Sequence, residues 1–197
     1  MNKNLTPEFI APARHTWLTG DKANHKGNDI IVRAASIVIE QHPNVEFVIK
    51  FVNYGEDVTQ TKSLIKELSL DPYFEWIETQ TKEQLWTRYL ESHAVIDQFI
   101  IPAIGAIGVE SLALGCRLIN ADNGSLAGFF EEQPPLLSAN TPAELAARIL
   151  EVIDDPEDAQ GIGEKAKAWF RVRHSNEQLE KQLLTGIKRL DEAYSST

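Results

Sequence analysis

Two basic residues, Arg14 and Lys26, stand in a segment that could hold an anion. The whole chain is acidic, with 19 Lys and Arg against 29 Asp and Glu and a net charge of −10. Between positions 11 and 28, however, there is a single acid, Asp21, against Arg14, His15, Lys22, His25 and Lys26. Gly27 permits close approach of the backbone at the start of a predicted helix, whose free N–H groups favour anions. The segment predicts a site for a small anionic ligand; the competing interpretation is that both cations are solvated loop charges.

One acid, Glu110, interrupts an otherwise apolar helix predicted from Gly105 to Leu114. Because the helix is apolar on nearly every side, we expect it to be buried, and a buried carboxylate needs hydrogen-bonding partners. The two vicinal hydroxyls of a ribose could supply them, and the alternative is a pairing with Arg117 or with local N–H groups. Gly105 and Ala106 leave the amino end of this helix open, where a pyrophosphate would bind favourably.

These residues must be positioned by repeated strand and helix units. Short apolar runs alternate with segments of helical period, which is typical of an α/β fold with a doubly wound, Rossmann-like parallel sheet of about six strands. Strands are predicted near 9–14, 46–52, 73–77, 94–99, 116–120 and 136–139, and helices near 28–41, 57–68, 82–91, 105–114 and 142–153. Asn28 or Asp29 is expected to cap the first helix, and Thr141 with Pro142 to begin the last. The ligand site of such a sheet lies outside the carboxyl ends of its strands.

The end of the chain is predicted to be a helical tail. Ser175 and Gln178 form a capping box, and the helix that follows carries an apolar stripe of Leu179, Leu183, Ile187, Leu190 and Tyr194. We therefore expect residues 1–174 to form the Rossmann-like domain and residues 175–197 a C-terminal helix. Its stripe either packs back on the same domain or docks on a missing partner domain.

Length, composition and charge exclude several classes of protein. The 197 residues suffice for one domain but not for two. The lone Cys116 excludes an internal disulfide and the usual structural zinc sites, and the net charge argues against nucleic acid as a partner. No apolar run is long enough for a transmembrane segment and no signal peptide is visible, so we expect a cytoplasmic protein. There is no G-x-x-x-x-G-K-[ST] loop, and Ala13-Arg14-His15 stands where a dinucleotide enzyme would carry G-x-G-x-x-G.

The histidines and tryptophans are given smaller roles. His15 and His25 are interpreted as exposed loop residues that could touch a phosphate but usually have no function. Three tryptophans are assigned to the core, and the fourth, Trp17, is placed near the site; the core set is Trp76, Trp86 and Trp169.

Three segments occur in a familiar order. They are Arg14 with Lys26-Gly27-Asn28-Asp29 and Ala34; the strand from Ala94 to Phe99; and the run from Gly105 through Glu110-Ser111-Leu112-Ala113-Leu114-Gly115-Cys116-Arg117-Leu118-Ile119. Together they resemble the carboxy-terminal, donor-binding domain of family 4-like GT-B glycosyltransferases, the glycosyl transferases group 1. The resemblance covers nearly the whole chain, from about residue 10 to residue 174.

The resemblance implies a nucleoside diphosphate sugar as ligand and retaining glycosyl transfer, of the hexosyltransferase type, as the reaction. Arg14 and Lys26, with Gly105 and Ala106, would bind the diphosphate, and Glu110 would bind the ribose hydroxyls. Residues 77–80, beginning at Ile77, would face the base, whereas Asp97 and Gln98 could contact the sugar; the catalytic residues stay unknown. No cofactor and no metal are expected.

The resemblance also implies that part of the enzyme lies elsewhere. GT-B enzymes keep the acceptor site in an amino-terminal domain, so this chain alone is expected to be inactive without such a domain or a companion chain. A role in polysaccharide biosynthesis would follow, in the cytoplasm or at the inner membrane face through the partner domain.

The chain departs from the family pattern at one position. The family carries two glutamates eight positions apart, the first approaching the donor sugar, and here the earlier position is Pro102. Proline cannot replace a carboxylate, which favours the alternative of a non-catalytic nucleotide-sugar-binding or regulatory module. A nucleotide-sugar epimerase is a weaker alternative, because Glu110 has no evident carboxylate or histidine partner for proton abstraction.

Overall fold

A computed structural model describes residues 6–126, 132–158 and 160–195. Six parallel strands form one sheet in the order β3-β2-β1-β4-β5-β6. The strands are β1 (Glu8–Ala11), β2 (Val48–Val52), β3 (Phe74–Ile77), β4 (Ala94–Ile96), β5 (Leu118–Asn120) and β6 (Leu137–Ser138). All six predicted strands are present, each shorter than predicted. β1, for example, ends before Pro12, which has no N–H to continue the ladder.

Seven helices are described: α1 (Asn28–Gln41), α2 (Val58–Glu67), α3 (Lys82–Glu91), α4 (Ala106–Leu114), α5 (Pro142–Asp154), α6 (Ile162–Arg173) and α7 (Asn176–Ser195). They cover both faces of the sheet. Because successive strand residues point to opposite faces, Phe9 and Ala11 pack in one core with α1, α2 and α5. Ile10 and Leu118 point the other way, towards the side of α3, α4 and α6. The doubly wound fold is confirmed, as is its helical C-terminus.

Two of the three predicted helix caps are confirmed, at α5 and α7, and the structure adds a capping box at α3 that was not predicted. Thr81 and Gln84 form a capping box at α3, the Thr141 hydroxyl accepts the Glu144 amide at α5, and the Ser175 hydroxyl accepts the Gln178 amide at 3.2 Å before α7. The predicted cap of α1 is wrong. Gly27, at a left-handed φ of 77°, precedes that helix without a side-chain cap. The Asn28 amide group is buried instead against the preceding loop, where it accepts the Thr16 amide at 3.2 Å.

Helix α4 is less buried than its apolar sequence predicts. Only Gly108, Ser111 and Leu112 are buried, while Ala106 is exposed and Glu110 is half-buried. The reason is geometric: a helix that is apolar on every side has no preferred inward face, so its composition cannot tell that one face lies open. Glu110 is therefore a carboxylate at the edge of a partly covered helix, not an acid enclosed in one.

The described side chains of the apolar stripe on α7 are exposed to solvent. Leu179, Leu183, Ile187 and Tyr194 are all exposed, the last by 80%. The side chain of Leu190 lies outside the described residues. The four described side chains therefore do not fit burial against this domain, and docking on a partner domain stays a prediction.

Helices α4 and α6 cross so closely that a glycine is required. A Cβ at Gly163 would lie 2.2 Å from the carbonyl oxygen of Gly115. We expect Gly163→Ala to lower the free energy of unfolding by about 1–3 kcal/mol through overpacking. Gly186, in the middle of α7, has nothing within 4 Å of its Cβ position. Gly186→Ala should therefore raise the free energy of unfolding by about 0.5–1 kcal/mol. Urea denaturation of both variants checks the pair, and equal effects would contradict the assigned helix contact.

Candidate functional site

A cavity lies at the carboxyl edge of the sheet, where the strand order reverses. β1 has β2 on one side and β4 on the other, and the loops after β1 and β4 leave the sheet towards opposite faces. Such a switch point is where open α/β sheets bind ligands. The cavity has a volume of about 290 Å³, and it is lined by six of the residues singled out in the sequence: Arg14, Lys26, Asp97, Gln98, Gly105 and Ala106.

Lys26 is fixed at the rim of this cavity by hydrogen bonds. Its Nζ donates to Oε1 of Gln98 at 2.6 Å, and the Gln98 Nε2 donates to the Ala103 carbonyl at 3.0 Å. The Phe99 amide also donates to the Lys26 carbonyl at 3.1 Å. The loop before α1 and the loop after β4 are thereby joined. Arg14 is exposed and lines the same cavity, so two cations border one space.

The amino end of α4 closes the cavity from below. Gly105 occupies the cap position and, as a glycine, offers no side-chain hydrogen bond to the first N–H groups of this helix, while the buried Asp97 carboxyl interacts with the Gly108 amide in its first turn. These groups carry the positive end of the helix dipole, which attracts anions. Together with Arg14 and Lys26 they give the cavity a local positive potential that suits a diphosphate.

Asp97 is the one buried acid in this cavity. It is 3% exposed, and its Oδ2 has no hydrogen-bonding partner among the described residues. Burial raises the pKa of the Asp97 carboxyl to about 6; Lys26 and the Gly108 amide oppose this shift, and Glu110 adds to it. Asp97 therefore changes its charge close to neutral pH, beside the two cations.

The loop that carries Arg14 is held by Asp57, which the sequence analysis missed. The Asp57 carboxylate accepts the amides of Trp17 and Leu18 at 2.6 and 2.8 Å and the hydroxyl of Thr19 at 2.6 Å. Burial alone would raise the pKa of Asp57, but these hydrogen bonds outweigh it and lower the pKa to about 2. The sequence signal was ambiguous, because an acid just before α2 is typical of a helix cap, a role that Asp57 does not perform here.

The two loop histidines are buried, contrary to the prediction. His15 is fully buried, with its Nδ1 3.0 Å from the Thr61 hydroxyl. Burial lowers the pKa of His15 to about 4, so its ring is neutral at pH 7 and adds no charge to the site. The His25 Nε2 donates to the Thr19 carbonyl at 3.0 Å. Both rings therefore stabilise the loop fold.

Glu110 lies one helical turn beyond Ala106 on α4, outside the set of residues that line the cavity. Its carboxylate accepts from Lys82 through one oxygen and from Trp86 Nε1 through the other, the latter at 3.0 Å. The alternative pairing with Arg117 is wrong, because that guanidinium donates to the carbonyl of His93 at 2.8 Å and to two further carbonyls.

Three other predicted positions lie away from the cavity. Trp86 was assigned to the core, yet it is 36% exposed, because its indole covers Glu110 on the surface. Ile77 ends β3, and its side chain is buried under α3 with Ile10 and Tyr89. Pro102 lies in the loop between β4 and α4, where its carbonyl accepts from Ser125 at 3.3 Å.

The sequence matches the family model of glycosyl transferases group 1 over residues 19–169. The chain belongs to this family. The site just described therefore lies in a group 1 glycosyltransferase fold, at the switch point between β1 and β4.

Solved GT-B glycosyltransferases share the fold of this group 1 chain. TarM of S. aureus, in complex with UDP among other ligands, has a TM-score of 0.69 at 14% identity, over 91% of this chain and 35% of TarM. HepE of Anabaena, in complex with UDP, has a TM-score of 0.65 at 19% identity, over 98% of this chain and 49% of HepE. The C-terminal domain of the group 1 protein LpcC from Francisella tularensis has a TM-score of 0.62 at 16% identity, over 87% of each chain. This chain thus spans less than half the length of TarM and HepE.

No curated protein matches the sequence. Among residues 6–126, 132–158 and 160–195, no helix is both long and apolar enough to cross a membrane.

The role of Asp57 predicts a measurable dependence of stability on pH. Its carboxyl has an ordinary pKa of 3.8 in the unfolded chain and about 2 in the folded protein. Its contribution of about 2 kcal/mol should be complete above pH 3.8 and should disappear as the pH falls towards 2. The difference in unfolding free energy between wild type and Asp57→Asn, from denaturant titrations at several pH values, should shrink over that interval. A difference that stays constant would show that the loop does not depend on this carboxylate.

Proposed function

We propose that this chain is the donor-binding domain of a retaining GT-B glycosyltransferase. It would take a glycosyl group, of the hexosyl type, from a nucleoside diphosphate sugar for transfer to a glycan, lipid or other acceptor. The observation that carries this proposal is one cavity lined by Arg14, Lys26 and the amino end of α4. Two cations and the helix N–H groups offer several donors to one ligand, and this suits two linked phosphates better than one small anion.

The same groups suit the departure of the diphosphate. In glycosyl transfer, negative charge grows on the leaving diphosphate, and fixed cations and helix dipoles stabilise it without rearrangement. Lys26 is already held in place by Gln98 at 2.6 Å, so little ordering is needed when the ligand binds. In this proposal no metal ion and no cofactor take part. Asp97 and Gln98, also at the cavity, would contact the sugar.

The nucleoside would extend from the cavity along α4. Glu110 lies one turn from Ala106, which lines the cavity, so a ribose attached to the diphosphate would reach it. The base would lie further out, towards the loop that begins at Ile77. UDP is present in the solved complexes of TarM and HepE, and a nucleoside diphosphate is the ligand class proposed for this chain.

We further propose that acceptor binding requires another domain or a companion chain. The chain spans less than half of TarM and HepE, and the exposed apolar stripe of α7, with Leu183 65% exposed, offers a surface for docking. Polysaccharide biosynthesis in the cytoplasm, or at the inner membrane face through that domain, is the role this assignment suggests.

A non-catalytic nucleotide-sugar-binding module is the second candidate, and Pro102 favours it. This residue replaces the family glutamate that approaches the sugar, while the cavity residues for the diphosphate stay in place. The two candidates differ in whether the bound sugar is transferred once an acceptor-binding domain is supplied. An epimerase is disfavoured, since the described partners of Glu110 are Lys82 and Trp86, which cannot serve as the second carboxylate or imidazole.

Loss of either cation should weaken diphosphate binding. Calorimetric titration with uridine, guanosine and adenosine diphosphates should show saturable binding of at least one. Arg14→Ala and Lys26→Ala should each weaken that binding by about 1–3 kcal/mol, the usual value of a charge-assisted contact. Lys165→Ala, an exposed lysine on α6, removes the same charge away from the cavity and should have no such effect. Unchanged affinity in both cavity variants would reject the diphosphate assignment.

Binding of a sugar nucleotide should also depend on the charge of Asp97. Because the pKa of Asp97 is raised to about 6, its carboxyl is neutral below that pH and anionic above it. An anion beside the diphosphate opposes binding, so affinity should fall as the pH rises above 6, by up to about tenfold per pH unit. Calorimetry should use a sugar nucleotide of the preferred base, whose phosphates stay ionised throughout. Asp97→Asn should flatten the profile, and identical profiles for both proteins would contradict the prediction.

A further inference from the structure

Two side chains of α3 converge on the carboxylate of Glu110. The Lys82 Nζ donates a hydrogen bond to Oε1, and the Trp86 Nε1 donates one to Oε2 at 3.0 Å. Lys82 and Trp86 are four residues apart and therefore share one face of α3. The contact thus joins two neighbouring helices through one half-buried acid, whose side chain is 18% exposed.

The first turn of α3 is anchored so that Lys82 is held near Glu110. The Thr81 amide donates to Gln84 Oε1 at 3.0 Å, and the Gln84 amide donates back to the Thr81 hydroxyl. This reciprocal capping box fixes the helix start immediately before Lys82. Trp86 follows one turn later, with its indole partly covered and its N–H directed at the acid.

The hydrogen-bonding capacity of the carboxylate is only half used. A carboxylate has about four acceptor positions, two on each oxygen. Lys82 takes one on Oε1 and Trp86 takes one on Oε2, so each oxygen keeps one position. Two vicinal hydroxyls present two adjacent donors, and this arrangement matches one free position on each of two adjacent oxygens.

We propose that Lys82 and Trp86 are positioning residues that orient the Glu110 carboxylate to accept both vicinal hydroxyls of the nucleotide ribose. The inference rests on the proposed function, because it requires a ribose at Glu110. Without the two donors the glutamate side chain would sample several rotamers, and a bidentate contact would require ordering it on binding. The pair therefore determines selectivity for a ribonucleotide over a 2′-deoxyribonucleotide.

A structural ion pair would behave differently. Lys82 is 56% exposed, and a pair of this kind on a surface adds little to stability. If stability were its only role, replacing Lys82 or Trp86 would alter the melting temperature slightly and leave the choice between ribose and deoxyribose as it was. Discrimination between the two sugars is therefore the informative measurement.

The experiment compares the tightest-binding diphosphate of uridine, guanosine and adenosine with its 2′-deoxy analogue by calorimetry. The wild-type protein should prefer the ribonucleotide by about tenfold or more, and Glu110→Gln should remove most of this preference. Trp86→Phe, which deletes the N–H, and Lys82→Met, which deletes the charge, should each reduce the preference roughly two- to tenfold. Affinity for the deoxy analogue should change little in either variant.

Three controls separate positioning from other roles. Lys82→Arg retains a cationic donor and should retain the preference. Lys165→Met removes a lysine charge from α6 and should leave it unchanged. In the Glu110→Gln background, Trp86→Phe should have no further effect, because a residue that acts through the acid loses its influence with it.

The outcomes distinguish failure of this inference from failure of the proposed function. A preference that collapses in Glu110→Gln but persists in both Lys82→Met and Trp86→Phe overturns the positioning role and leaves the ribose contact standing. A preference that persists in Glu110→Gln, or the absence of binding by all three diphosphates, overturns the ribose assignment and this inference with it. An additional effect of Trp86→Phe in the Glu110→Gln background would show a direct contact and would also overturn the positioning role.

Discussion

The parallel pairing of β1 with β4 is the constraint on which the site depends. Phe9 and Ile10 of β1 lie beside Ala94 and Val95 of β4, although the two strands are separated by two intervening strands along the chain. Each strand then leads to a helix on a different face of the sheet, α1 on one and α4 on the other. The two connections must diverge, and the crevice between them opens at the carboxyl edge. The cavity is therefore a consequence of strand order, and the residues that line it determine what it can bind.

The electrostatics of this cavity are local, not a property of the whole protein. A chain with a net charge of −10 repels an anion at long range, so attraction has to come from groups within a few ångströms of the ligand. Asp57 accepts hydrogen bonds from three consecutive amides of the loop that carries Arg14, and these hydrogen bonds compensate its negative charge. Asp97 works in the opposite direction, because it is an acid inside the cavity. Burial raises its pKa to about 6 although Lys26 opposes this shift, so Asp97 stops repelling an anion only where the pH falls below that value.

The sequence predicts features that local patterns determine, such as the bounds of helices. It does not predict contacts between residues that are distant along the chain. The bounds of α1 and α3 were predicted to the residue, because both helices have clear apolar periods and stop signals. The cap of α1 was missed, since Gly27 has a left-handed backbone and Asn28 is drawn into the loop instead. The partners of Glu110 come from a different helix, 24 and 28 positions away, a spacing that no local period reveals. Trp86 was assigned to the core for the same reason: residue type indicates burial, but only the fold shows that an indole covers an acid at the surface.

In the proposed function, donor binding and glycosyl transfer depend on different parts of the enzyme. Identity to TarM and HepE is only 14% and 19%, yet each shares the overall fold of this chain. Every group proposed to hold the diphosphate and the ribose lies in this chain, around one crevice and along one helix. In the proposed function the acceptor approaches the sugar from outside that crevice, and Pro102 supplies no carboxylate for contact with the sugar. A domain organised in this way can retain a nucleotide sugar independently of whether it transfers the sugar, because the contacts with the nucleotide do not include those that activate the acceptor.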